Sequence, residues 1–283
     1  MQGSAYGLEV VGLSHAQLDL TDAWRVRRTL EQLRPALVIN AAAYTQVDAA
    51  EEHSRLAYAV NRDGAAVLAE VAERLGAPLF HLSTDYVFDG QARRPYKEND
   101  TTAPLGIYGA SKLAGERAIA EQLDRHLILR TSWVYGEHGG NFVKSMLRLA
   151  ARPELRIVDD QIGCPTSAER IASVLLELAR RYATTGELAW GLYHYSGRSA
   201  CSWYAFACEI FRQAKDVGLI HRLPNLSPIP TSEYPTPARR PAWSVLDCSR
   251  FESAFELDTV DWQADLRALL DVLGEQAPSR MAV

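Results

Sequence analysis

Tyr108 and Lys112 stand four residues apart in Tyr108-Gly109-Ala110-Ser111-Lys112. On a helix, positions i and i+4 share one face. An ammonium one turn from a phenol stabilises the phenolate and lowers the phenol's pKa. The spacing therefore predicts a proton donor and acceptor usable near neutral pH, which reduction of a ketone requires. The lysine is informative because the chain avoids lysine: of 30 basic residues only Lys97, Lys112, Lys144 and Lys215 are Lys. Arginine, bulkier and forked, does not replace a compact point charge. Alone, Tyr-x-x-x-Lys is a weak motif, also readable as an amphipathic helix with a packed Tyr and a solvated Lys.

The elements that must position this pair alternate along the chain. Residues 8–13 read as a strand. Thr21 or Asp22 caps a helix through Leu33, and Pro35 stops it. Residues 37–41 form a buried strand ending in small residues. A helical stretch runs from about 48 to 75, broken near Asn61-Arg62-Asp63-Gly64 and closed by Gly76. Residues 78–83 are the next strand, a Gly/Pro/Asp-rich loop spans 89–104, the Tyr108 helix ends near Leu123, and residues 126–130 are a strand. Strands alternating with helices imply an α/β fold, a Rossmann-like doubly wound parallel sheet. Ligands of such sheets bind at the carboxyl ends of strands. Three motifs sit there: Asn40-Ala41-Ala42-Ala43, Ser83-Thr84-Asp85 and Arg130-Thr131-Ser132-Trp133. After about residue 150 the pattern loosens into proline-rich stretches at 223–230 and 234–241, read as a small C-terminal lobe.

Composition bounds the rest. At 283 residues and 47% hydrophobic, the chain supports one large α/β domain with or without such a lobe. A net charge of -5 supplies no basic field for nucleic acid. No apolar run approaches a membrane span, and the N-terminus lacks a signal-peptide pattern. Cys164, Cys201, Cys208 and Cys248 form no C-x-x-C pair and the seven His are scattered, so neither zinc nor a disulfide framework is indicated. Buried thiols of a cytoplasmic protein are the preferred reading.

At these residues the chain resembles the extended short-chain dehydrogenase/reductases, and is closely similar to the dTDP-4-dehydrorhamnose reductases. The matching stretches cover nearly the whole chain. They run from Val38-Ile39-Asn40-Ala41-Ala42-Ala43-Tyr44-Thr45 through Ser83-Thr84-Asp85-Tyr86-Val87-Phe88-Asp89-Gly90, Tyr108-Gly109-Ala110-Ser111-Lys112 and Arg130-Thr131-Ser132-Trp133-Val134-Tyr135. Further on come Asp160-Gln161-Ile162-Gly163-Cys164-Pro165-Thr166, Ser202-Trp203-Tyr204 and Pro237-Ala238-Arg239-Arg240-Pro241. The resemblance implies NAD(P)H-dependent reduction of the C4 ketone of dTDP-4-dehydro-β-L-rhamnose. Tyr108 would protonate the sugar C4 oxygen, Lys112 bind the cofactor ribose and tune Tyr108, and Thr84 bond the carbonyl or the tyrosine. Ala42, Ala43, Tyr44 and Thr45 would line the cofactor, and Asp19 and Leu20 meet its adenine. Asp85 and Trp133 would contact the sugar nucleotide, Arg239 or Arg240 its diphosphate, and Asn61 would support the site. Residues 1–150 would be the dinucleotide-binding domain, and 151–283 mainly the substrate-binding lobe, with segments returning to the sheet. The partner would be a small-molecule sugar nucleotide, with no nucleic acid and no membrane. The cofactor is NADPH or NADH; Mg2+ dependence and a homodimer are left open.

The chain departs from the family at its start. The family opens with a strand, a Gly-x-x-Gly turn and a helix that cradle the cofactor pyrophosphate. Here Gly12-Leu13-Ser14-His15-Ala16 lacks the second glycine, and a strand rather than a helix is read after Gly3 and Gly7. Residues 1–6 read as the end of the family's first helix and 8–13 as its second strand. The expectation is a truncated or misplaced start, with weak NADPH binding and poor folding of residues 1–283 alone. Residues 13–15 carry no acid where a ribose 2′-OH would be bound, which leaves room for a 2′-phosphate. Other readings stay open: another sugar-nucleotide reductase, a dehydratase or epimerase of the same fold, or a non-catalytic binding subunit resembling the regulatory subunit of methionine adenosyltransferase. Dehydratases carry Asp-Glu after the threonine; here Asp85-Tyr86 follows. The intact Thr84, Tyr108 and Lys112 favour chemistry.

Overall fold

The computed structural model describes residues 2–276; the outer ends of the two predicted domains, Met1 and residues 277–283, lie outside them. The central sheet is parallel, in the order β1 (Val38–Asn40), β2 (Leu79–Thr84), β3 (His126–Thr131), β8 (Gly191–His194). Between these strands come α1 (Ala23–Leu33), α2 (Val47–Glu52), α3 (Ser54–Tyr58), α4 (Ala65–Leu75) and α5 (Ile107–Gln122). One wide π-type turn, Ala59–Gly64, joins α3 to α4 where the sequence suggested a break. Asp22 caps α1 by accepting from Arg25 N, and Gly76 closes α4 at φ 68°, a conformation that suits glycine.

Alternation along the strands divides the core. Leu79 and Ile128 point to the face where Val26, Leu30, Leu68 and Ile119 of α1, α4 and α5 pack. Phe80, Leu127 and Leu129 point to the other, against α7 (Ala168–Thr185) and α9 (Ser249–Phe255). By the same period of two, His81 and Ser83 of β2 and Arg130 of β3 share the α5 face with Leu79 and Ile128.

The second half builds another hydrophobic cluster from α6 (Phe142–Leu149), β5 (Glu154–Val158), α8 (Trp203–Asp216) and α10 (Trp262–Gln276). Three short two-stranded ladders accompany it: β4 (Val134–Tyr135) with β7 (Thr166–Ser167), β6 (Ile162–Gly163) with β9 (Cys201–Ser202), and β5 with β10 (Asn225–Ile229). β10 lies in the stretch read as proline-rich and irregular; Pro228 is tolerated because β10 has β5 as its one ladder neighbour.

Residues 8–13 are not a strand. Val10, Val11 and Leu13 are exposed, Val11 at 57%. Leu8 N donates to Gly3 O at 3.1 Å, and just beyond the segment Gln17 N donates to Ser14 O at 2.9 Å. An apolar run becomes a strand when a neighbour takes its N–H and C=O groups, and no ladder includes this one. The cofactor preference drawn from the end of that strand loses its footing. Residues 2–6 form a short 3-10 helix. The four cysteines are free thiols. No helix among the described residues is long and apolar enough to cross a membrane.

Candidate active site

Parallel register brings the three motif-bearing strand ends to one edge. Asn40 pairs with His81, and Thr84 with Thr131. α5 crosses this edge unusually close to the chain. A Cβ on Gly109 would fall 2.1 Å from Tyr86 O, and one on Gly115 2.1 Å from Asn61 O. The N-terminus of α5 receives a cap from outside its own sequence: Ile107 N donates to Glu51 Oε1 at 2.8 Å, which suits the positive end of the helix dipole.

Tyr108, Lys112 and Glu116 form the stripe of α5 turned to the sheet. Tyr108 meets Tyr86 edge-on, ring centroids 5.6 Å apart. Burial pushes the Tyr108 hydroxyl up to about 12; a hydrogen bond with Thr84 pulls down and Asp85 pushes further up. Lys112 is not among these influences. Its ammonium position, 2% exposed, is taken up by Leu82 O at 2.6 Å and His81 Nε2 at 3.1 Å. The lowering of the phenol's pKa expected from the spacing is therefore corrected: helical spacing aligns the two side chains, but burial raises the phenol and the lysine turns to β2. Glu116 accepts two bonds from Arg130, at 2.9 and 2.6 Å, and one from Ser83 Oγ at 2.5 Å.

Thr84 Oγ1 donates to Asp85 Oδ1 at 3.0 Å and accepts from Tyr86 N. Asp85 is buried, its Oδ2 has no hydrogen-bond partner, and burial raises its pKa to about 6 against hydrogen bonds with Ser244 and Thr84. Asn61 binds the backbone of Tyr44 through both ends of its amide, at 2.8 and 3.1 Å, and donates to Ser111 Oγ at 2.9 Å; Ser111 Oγ donates on to Tyr108 O. One buried side chain thus couples the loop after β1 to α5. Ala42 and Thr45 of that loop are exposed and Ala43 half-buried. Asp19 accepts from Thr21 N and Oγ1 in a local turn, and Leu20 packs beneath Gly64 in the π-type turn that also holds Asn61.

Trp133 adopts φ 46°, rare for a non-glycine residue. Its indole stacks on Trp203 at 3.5 Å between centroids and 5° between planes, and Gly163 leaves it space, since a Cβ there would fall 2.5 Å from the ring. Arg240 is engaged inside the protein. It donates to both carboxylate oxygens of Asp48, at 2.9 and 2.6 Å, and to Thr236 Oγ1 and Ala238 O. Arg239 is exposed. Sequence reasoning missed His81 and Glu51, and gave no role to Asn40, Glu116, Arg130 and Trp203, which lie in or beside the motifs it singled out. The signal for His81 and Ser83 was available: counted in twos from Leu79, they face α5. Among the described residues no group of three or more His, Cys, Asp or Glu is placed to hold a metal ion, so no residue set is offered for Mg2+.

Comparison with known proteins matches residues 1–274 to the family model described as RmlD substrate binding domain. The dTDP-4-dehydrorhamnose reductase of Aggregatibacter actinomycetemcomitans is 44% identical over 260 residues, 92% of this chain and 88% of that protein. The solved dTDP-4-dehydrorhamnose reductase of Clostridium acetobutylicum superposes with a TM-score of 0.86 at 38% identity, covering 94% of this chain and 90% of that one. That of Bacillus anthracis, solved in complex with NADP, gives 0.83 at 36% identity, covering 92% and 89%.

Proposed function

This chain belongs to the family described as the RmlD substrate binding domain, and from that premise we propose that it reduces the C4 ketone of dTDP-4-dehydro-β-L-rhamnose to dTDP-L-rhamnose. NADPH or NADH is the reductant, and NADPH is the choice favoured by the NADP-bound relative. The observation that carries the reading is the buried Tyr108 hydroxyl on the sheet-facing stripe of α5 that also carries Lys112, with Thr84 at the carboxyl end of β2. Residues 1–150 act as the dinucleotide-binding domain and the C-terminal lobe as the substrate side, in a cytoplasmic enzyme.

The residues present fit the nicotinamide end of such a cofactor. Ala42 and Ala43 offer backbone and methyl groups beside an open edge, Tyr44 is pinned by Asn61, and Asp85 Oδ2 is a buried oxygen without a protein partner. When bound, the nicotinamide supplies the hydride. The protein supplies the proton and the orientation. Reduction leaves negative charge on the C4 oxygen, and Tyr108, which burial keeps protonated in the ligand-free protein, is the proton donor for it. Thr84 orients that phenol, Lys112 offers donors to the ribose, and Asp85 accepts from a sugar hydroxyl. Trp133 presents a wall fixed by Trp203, and Arg239 meets the diphosphate.

Following NADPH absorbance with the keto sugar tests this directly. Tyr108→Phe is expected to lower turnover about 100-fold or more while substrate affinity changes little. Full turnover by that variant would remove Tyr108 from the chemistry. Absence of NADPH oxidation by the parent chain, with the sugar nucleotide still bound, would favour the non-catalytic binding subunit.

A further inference from the structure

Beneath Lys112 a row of hydrogen-bonding groups has only one consistent polarity. The backbone N–H of Ala42 is a fixed donor, and the group it meets at 3.1 Å is the Asn40 side-chain oxygen. The amide's NH2 end is thereby turned to His81, Nδ2 to Nδ1 at 3.0 Å. An NH2 group only donates, so Nδ1 accepts, and the proton of the neutral imidazole sits on Nε2. Nε2 lies 3.1 Å from Lys112 Nζ. An ammonium has three donors and no lone pair, so a facing Nε2–H suits only the neutral amine.

We propose that His81 is a positioning residue that, oriented by Asn40 and the Ala42 N–H, favours the neutral amine form of Lys112 and holds it drawn back onto the Leu82 carbonyl.

The surroundings agree. β2 turns His81, the Leu82 carbonyl and Ser83 to this space; α5 contributes Tyr108 and Glu116; β3 contributes Arg130. Glu116 is the one carboxylate that supports an ammonium here, and its two oxygens already bind Arg130 and Ser83. Burial lowers Lys112 to about 8. Burial holds His81 well below its ordinary range, so the imidazole stays neutral while the lysine titrates. The catalytic consequence rests on the reading of Lys112 given above. A ligand that draws Nζ away from His81 returns the amine to ordinary basicity, and Lys112 then takes one proton from solvent.

Nitrogen-15 NMR of the histidine-labelled full chain reads the tautomer. The His81 ring, assigned by through-bond correlation, should show a protonated Nε2 and an unprotonated Nδ1; the opposite tautomer would overturn the proposal. Carbon-13 labelling of lysine adds a second readout, easily resolved because the chain has only Lys97, Lys112, Lys144 and Lys215. The Lys112 titration should lie at or below about 8 and rise by about one unit in His81→Phe, which removes the facing donor. A fall would mean that His81 accepts from an ammonium, and no change that His81 has no hold on the lysine; either overturns the proposal. Should the phenylalanine variant not fold, the wild-type tautomer decides alone. Neither measurement involves turnover, so failure of the reductase reading would leave both results standing.

Discussion

Asp85 is a carboxylate that the fold buries to 2% exposure with one oxygen unpartnered. Its pKa is raised to about 6, so the folded state holds the proton more tightly than the unfolded one. Its contribution to stability is complete below the unfolded value, about 3.9, and is lost as pH rises through about 6. At pH 7.5 the buried anion costs on the order of 1–3 kcal/mol. Asp85→Asn should therefore stabilise the protein by about that amount at pH 7.5 and hardly at all at pH 4. Urea midpoints at the two pH values measure this, and an equal shift at both would assign the effect to packing. Activity should fall in the same variant, because a group maintained at such cost beside Thr84 and Tyr108 serves the site. The Tyr108 and Lys112 spacing revealed a shared helix face. It did not reveal what the ammonium meets, because His81 and the Leu82 carbonyl lie about thirty residues upstream and reach it only through the packing of α5 on β2.

The helix α5 can place that stripe only because two of its residues have no side chain. Gly109 lies against Tyr86 O and Gly115 against Asn61 O. Both neighbours are backbone, which gives way less readily than the end of a flexible side chain. Gly109→Ala should destabilise by about 2 kcal/mol or more, as overpacking does, and should displace Tyr108 from Thr84. Ala110→Gly, at a helix position without that contact, should cost only about 1 kcal/mol through helix propensity. Thermal unfolding of the two variants checks the order; a Gly109→Ala protein as stable as the parent would show that α5 has room to move. Elements bounded by clear caps and breakers were readable in the sequence, as Asp22, Pro35 and Gly76 show. Elements that depend on a neighbour were not. Residues 8–13 carry an apolar run but join no ladder, while Asn225–Ile229 carries a proline yet finds β5. Composition informs about the strand itself, and pairing is settled by the rest of the chain.

The two halves of the molecule are joined by more than succession. α7 and β8, from the second half, complete the sheet and its outer cover, and the 231–241 loop is fastened to the first half where Arg240 grips Asp48. The sequence offered Arg239 and Arg240 as equivalent candidates for a diphosphate. Geometry separates them, since Arg240 already has a carboxylate, a hydroxyl and a carbonyl, and Asp48 is held ionised, its pKa lowered chiefly by that arginine. Arg240 therefore shapes the loop, and Arg239 is left facing solvent at the same end. A double-mutant cycle of Asp48→Asn and Arg240→Met should give a coupling of about 1 kcal/mol in stability, the modest value expected of a half-exposed pair. Arg239→Met should leave stability within about 0.5 kcal/mol and raise KM for the sugar nucleotide about tenfold, the equivalent of roughly 1.4 kcal/mol of lost binding. If instead Asp48→Asn strengthens nucleotide binding while Arg239→Met leaves KM alone, Arg240 is the diphosphate ligand, and Asp48 is the group that competes for it.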